Sequence, residues 1–301
     1  MKKVVSIGGG HGLSMVLRTL LPCNVEQTAI VSVADDGGSS GRLRKDLDIV
    51  APGDIRACML ALSQTDEEDD NSDLATLKKI FEYRFDQGEL DGHSLGNLII
   101  VALAREAKSF ETAVKQASDM LNIRGRVFPA TESSVVLCAQ TDSGLVRGQV
   151  QIEQTSGIQK VFLDPDDAMP LAGVVDAILE ADHIIYAPGS LFTSVIPAFI
   201  IPEITHALRI TQADTTMIMN LGTKGPDTRG LTGDQHLEKV LEHGARVDRV
   251  ISGIDCLTVE DSPDKVEVVQ AYLGDTDEVH DMDLLRKLLV DILKLEYTYP
   301  F

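Results

Sequence analysis

The stretch KVVSIGGGHGLSMVLRTLLPCNVEQTAIVSVADD, Lys3–Asp36, decides the fold. A short β-branched run, KVVSI, breaks at glycines, and apolar residues then recur at helical spacing through LSMVLRTLL. A second β-branched run, TAIVSV, leads into two adjacent carboxylates. Strand, glycine turn, amphipathic helix and strand in that order form a βαβ unit, so a parallel sheet is expected.

The same alternation continues outward. PGDIRACMLALS has the proline, glycine and aspartate of a helix start, and HSLGNLIIVALAREA and FETAVKQASDML follow as helices. Gln64–Asp73, acidic and polar, predicts a solvated connection between helices. SSVVLCAQTDSGLVRGQVQIEQTSGIQKVFLDP breaks at Asp-Ser-Gly and Thr-Ser-Gly between β-rich runs, which predicts a small antiparallel meander. LAGVVDAILEA, HIIYA, TTMIMNL and RVDRVIS then resume the α/β rhythm, and MDLLRKLLVDILKLEY predicts a closing amphipathic helix. The expected architecture is one α/β domain over residues 1–301, a doubly wound and mostly parallel sheet with a β-rich insertion at about 127–165.

The 301 residues, 44% of them hydrophobic, suffice for a full core. A formal net charge of −20 argues against binding nucleic acid or an anionic membrane surface, so any anionic ligand must be held locally. The apolar run after Lys2 and Lys3 is too short for a signal peptide, and no run reaches membrane-spanning length, so a cytoplasmic location is expected. Cys23, Cys58, Cys138 and Cys256 show no CxxC pairing and are expected to be buried thiols.

In an open parallel sheet, ligands bind beyond the carboxyl ends of the strands. Gly9, Gly10, His11 and Gly12 lie between the first strand and its helix, where backbone N–H groups can face an anion. The alternative is a tight turn without a ligand. The loop has neither the GxGxxG nor the GK[ST] pattern. After the second strand, Asp35 and Asp36 can accept from a sugar diol or hold a divalent cation such as Mg. Gly37, Gly38, Ser39, Ser40, Arg42 and Arg44 supply the amides, hydroxyls and guanidinium forks that suit phosphate. Alternatively, the arginines pair with Asp35, Asp36 or Asp46 to order the loop. Asp54 and Arg56 open one helix; His93 and Asn97 sit at the start of another, where a histidine can simply cap or pack. Gly189, Ser190 and Thr193 follow a buried strand, and Asn220, Thr223, Lys224 and Arg229 follow the next. These loops are expected to line one long cleft. The apolar segment SLFTSVIPAFIIPEI packs either in the core or against a second subunit of a homo-oligomer.

GGGHGLS, TAIVSVADDGGSSGRLR, PGDIRACMLAL, YRF, GHSLGNL, APGSLFTSVIP and DQHLEKVLEHG together resemble the CofD/YvcK family, from the amino terminus to about residue 245. Within that family the sequence is most similar to the bacterial gluconeogenesis-factor branch. This implies a cytoplasmic protein with a Rossmann-like core, needed for cell shape during gluconeogenic growth and able to bind nucleotide sugars such as UDP-N-acetylglucosamine. The other branch, 2-phospho-L-lactate transferase, moves a phospholactyl-type group from a nucleoside diphosphate carrier to a deazaflavin hydroxyl. By that resemblance Asp35 and Asp36 match an acidic pair that holds magnesium or orients an acceptor, and would be catalytic if the chain is an enzyme. Gly9, Gly10, Gly12, Ser39, Ser40 and Gly189 match phosphate loops. Three departures stand out: His11 replaces a threonine, AFIIP lacks an asparagine, and TKGPDT replaces TQPGET. Two classes of function stay open, a nucleotide-sugar binding protein without turnover and a transferase. A nicotinamide (NAD) enzyme is a third, weakened by the missing fingerprint.

Overall fold

A computed structural model describes residues 1–47, 49–63, 72–223, 225–254, 257–263, 265–274 and 279–296, the side chains of residues 39, 40, 45 and 46 excepted. The expected βαβ opening forms as β1 (Lys2–Gly8), α1 (Gly10–Leu20) and β2 (Val25–Val31). Leu13, Val16, Leu17 and Leu20 recur at i, i+3, i+4 and i+7 and are fully buried, so one apolar stripe seats α1 on the sheet. After β2 come α2 (Gly38–Leu47), α3 (Gly53–Leu62), α4 (Asp73–Glu82), α5 (Leu95–Ala107), α6 (Phe110–Met120) and β3 (Arg126–Pro129). Most of the acidic Gln64–Asp73 stretch lies outside the described residues; its end supplies Ser72, whose hydroxyl caps α4 at the Ala75 N–H.

The chain continues through β4 (Val136–Thr141), β5 (Gly144–Arg147), α7 (Gln149–Glu153), β6 (Ile158–Asp164), α8 (Ala172–Glu180) and β7 (His183–Tyr186). It ends with α9 (Pro202–Ile210), β8 (Asp214–Ile218), α10 (Gly233–Glu242), β9 (Arg249–Gly253), β10 (Glu267–Ala271) and α11 (Met282–Leu293). Seven strands form one sheet in the order β10-β9-β8-β7-β1-β2-β3, every pair parallel. The winding reverses between β1 and β7, which makes the sheet doubly wound. β1, β2 and β7 are near-continuous buried runs, as strands covered on both faces must be.

The second sheet holds β5-β4-β6, all antiparallel. Two expectations need correction here. β3 belongs to the parallel sheet, so the antiparallel sheet spans 136–164 rather than the whole of 127–165. It is also not a meander, because β4 is central and both β5 and β6 pair with it. QVQIE alternates like a strand but coils into α7, since Asp36 accepts the backbone N–H groups of Gln149 and Val150 at 3.0 Å each and so satisfies donors at the helix start. That turn carries the chain from one side of β4 to the other.

Leu191, Phe192, Val195, Ile196, Phe199, Ile201 and Ile204 are all buried in this chain's own core, which places SLFTSVIPAFIIPEI inside the fold. Among the described residues no single helix is long and apolar enough to cross a membrane. Cys23, Cys58 and Cys138 are buried free thiols; Cys256 lies outside the described residues.

Candidate functional site

Where the winding reverses, the ends of β1 and β7 diverge and leave a cleft of about 600 Å³. Its floor is the β1–α1 turn. Gly10 has φ +60°, a conformation that favours glycine. Gly12 is required for a different reason: a Cβ there would fall 1.6 Å from the Pro188 carbonyl oxygen, so helix and loop touch backbone to backbone. The first turn of α1 carries no acidic residue of its own and no side-chain cap from Gly9, so its N–H donors beyond that of Gly10, which faces Asp54, remain for a ligand.

A carboxyl sits beneath that turn. Asp54 opens α3 beside Gly9 and Gly10, close enough that a Cβ on Gly9 would meet its Oδ2 at 2.8 Å. Burial pushes its pKa up to about 6; Asp35 adds to the rise, while the Gly10 N–H, His11 and Arg56 oppose it. Arg56 turns the other way, donating from Nε to Asn97 Oδ1 at 2.9 Å and from Nη1 to the Phe81 carbonyl at 3.1 Å. It ties the start of α3 to that of α5.

The opposite wall comes from the loops after β7 and β8 and from α7. Asn220 clamps Gly189, accepting its N–H and donating to its carbonyl, both at 2.7 Å. The Ser190 hydroxyl donates to Asp227 Oδ2 at 3.3 Å, and the Thr193 hydroxyl lies 2.7 Å from Ser190 Oγ and 3.1 Å from Glu153 Oε1. Burial raises the pKa of Asp227, and the neighbouring Glu153 adds to this. His280 reaches the cleft from the approach to α11.

Of the residues picked from sequence, Gly9, Gly10, His11, Gly12, Gly189, Ser190 and Asn220 line this cleft, and Thr193 braces it. The loop after β2 does not. Asp35 accepts the Gly37 N–H at 2.9 Å, Asp36 is committed to α7, and Gly38 begins α2 where the glycines and serines suggest a loop. Arg44 is buried and donates to the carbonyls of Asp35 and Val135, and exposed Arg42 donates to that of Asp91. These arginines order the segment by gripping backbone carbonyls. The side chains of Ser39 and Ser40, and Lys224 altogether, lie outside the described residues; Thr223 and Arg229 are exposed. Asp36 accepts one N–H bond on each oxygen and Asp35 one on Oδ1, bonds that tie the acidic pair to α7 and to its own turn. Among the described residues no group of three or more His, Cys, Asp or Glu could hold a metal.

Glu153, Asp227 and His280 escaped the sequence reading. Glu153 sits in the segment that alternates like a strand, and Asp227 and His280 lie in polar stretches that only the fold brings to the cleft.

The sequence matches the 2-phospho-L-lactate transferase CofD family over residues 4–297. It is 42% identical to a gluconeogenesis factor of Halalkalibacterium halodurans over 245 residues, 80% of this chain and 74% of that protein. Identity to the Bacillus subtilis gluconeogenesis factor is 41% over 270 residues, 88% of this chain and 81% of that one. A crystal structure of a UPF0052 family protein from Bacillus halodurans superposes with a TM-score of 0.87 at 34% identity, covering 96% of this chain and all of that one.

Proposed function

The chain belongs to the CofD family, and from that premise we propose that it is a cytoplasmic gluconeogenesis factor whose cleft binds a nucleotide sugar of the UDP-N-acetylglucosamine kind without turning it over, in support of cell shape during gluconeogenic growth. One observation carries this reading: at the switch point, the glycine turn at the start of α1 faces a cleft of about 600 Å³. N–H groups at a helix start favour phosphate, and this volume lies within the range that holds a ligand of nucleotide size.

A second reading, group transfer from a nucleoside diphosphate donor, is favoured by Asp227. A buried carboxyl with a raised pKa, already bonded to the Ser190 hydroxyl, is suited to take a proton from an acceptor alcohol. Calorimetric titration with UDP-N-acetylglucosamine, UDP and NAD, followed by product analysis, separates the readings. Saturable UDP-sugar binding with no product supports the binding protein, and product supports the transferase. Binding of NAD in place of the UDP-sugar overturns both.

A further inference from the structure

The cleft brings together two kinds of hydrogen-bonding group. At the floor, the first turn of α1 offers N–H donors and carries no acidic residue of its own, Asp54 lying beneath it at Gly10. The wall built by α7 and the loops after β7 and β8 offers acceptors. Glu153 and Asp227 both line the cleft, spaced by the Ser190 and Thr193 hydroxyls. Gln149 donates to Glu153 Oε1 at 2.8 Å, which holds that carboxylate in place.

His280 is an independent sign of the same polarity. Its Nε2 lies 2.9 Å from the Met219 carbonyl. A carbonyl can only accept, so Nε2 carries the proton and Nδ1 is left as a bare lone pair. The residue is 7% exposed and lines the cleft, and Nδ1 has no partner among the described residues. Burial opposes protonation of the ring, so this nitrogen stays an acceptor at neutral pH. Facing the cleft, Nδ1 can accept a hydrogen bond from a ligand's donor.

We propose that Glu153, Asp227 and His280 form a subsite that reads the uncharged, hydrogen-bond-donating end of a phosphorylated ligand whose phosphates lie at Gly10–Gly12. The inference rests on the nucleotide-sugar reading above and fixes the ligand's direction in the cleft. Carboxylates repel a phosphate and reward hydroxyl or N–H groups. A glycosyl head and a nucleobase edge both supply such donors.

The test is titration of the wild-type protein and of Glu153→Gln and His280→Phe with UDP and with UDP-N-acetylglucosamine, with thermal melting of each variant as a check on folding. Glu153→Gln keeps the shape and removes the charge; His280→Phe removes the free acceptor. Loss of about tenfold or more in UDP-N-acetylglucosamine affinity, with UDP unchanged, supports the subsite and assigns it to the sugar. Equal loss for both ligands in folded variants supports it and assigns it to the base. Unchanged affinities in both variants overturn the subsite and leave the nucleotide-sugar reading intact. Failure of the wild-type protein to bind either ligand overturns that reading and the subsite with it.

Discussion

Asn220 and Gly189 hold each other through two 2.7 Å hydrogen bonds, one in each direction between side-chain amide and backbone. The bonds join the loops after β7 and β8, so the shape of one cleft wall depends on a single side chain. Asn220→Ala strands both backbone groups of a half-buried glycine. Stability should fall by about 2 kcal/mol, read from denaturant midpoints, and ligand affinity should fall with it. Asn220→Asp keeps the acceptor but sets a carboxylate against the Gly189 carbonyl, and should fare no better.

Asp36 is predicted to act on the cleft at a distance. Asp36→Ala removes the acceptor for the Gln149 and Val150 N–H groups, at a cost of about 1–2 kcal/mol. Hydrogen exchange at those two amides should quicken before exchange in the seven-stranded sheet does. Because α7 carries Glu153, ligand binding should weaken as well.

Arg44→Met should behave as a structural change. The guanidinium donates to the Asp35 and Val135 carbonyls, and losing those buried bonds should cost about 1–3 kcal/mol of stability. A direct phosphate ligand would instead lower the salt dependence of ligand binding when removed. That dependence should stay unchanged in a variant still folded at the assay temperature.

Asp54 gives a pH signature whose sign follows from its direction. Its folded pKa, pushed up to about 6, exceeds the ordinary carboxylate range, so between about pH 4 and 6 the folded state binds more protons than the unfolded one. Stability contributed by the protonated group is therefore lost as pH rises through that window. Asp54→Asn should flatten this slope and leave the variant more stable than wild type at pH 7.5. The residue is only half-buried overall, which discounts the gain to about 1–2 kcal/mol. Urea midpoints of both proteins at pH 5 and pH 7.5 check it. An anion at Gly10–Gly12 would also keep Asp54 protonated, so its binding should take up a proton and tighten as pH falls toward 6.

The fold was legible wherever local pattern and tertiary context agreed. Leu13, Val16, Leu17 and Leu20 announce a helix and form one, and the β-branched runs of β1, β2 and β7 announce buried parallel strands. Legibility failed where a distant residue decided the outcome. QVQIE alternates as a strand, but Asp36, 113 residues away from Gln149, makes it helical. GSSGRLRKDL opens with the weak helix formers Gly-Ser-Ser-Gly yet coils as α2 from Gly38, with Gly41 packed so closely on the Asp36 carbonyl that a Cβ would lie 1.9 Å from it. The candidate site divided in the same way. Glycines at the turns after β1 and β7 were found because a strand-to-helix junction is local, whereas Glu153, Asp227 and His280 meet only through the sheet order. The arginines of the second loop have the composition of a phosphate site and the geometry of a brace. Composition cannot tell these apart, because both roles ask for guanidinium beside oxygen.

The contact between Gly12 and the Pro188 carbonyl separates two kinds of inheritance within a single motif. In GGGHG, His11 has an exposed imidazole with no hydrogen bond among the described residues, and a descendant that abandoned the ligand would be free to let it drift. Gly12 would have no such freedom, since any side chain there drives apart the two halves of the winding. A glycine surviving at that position in a diverged relative would testify to shared architecture, and only the residue before it would carry news of the ligand.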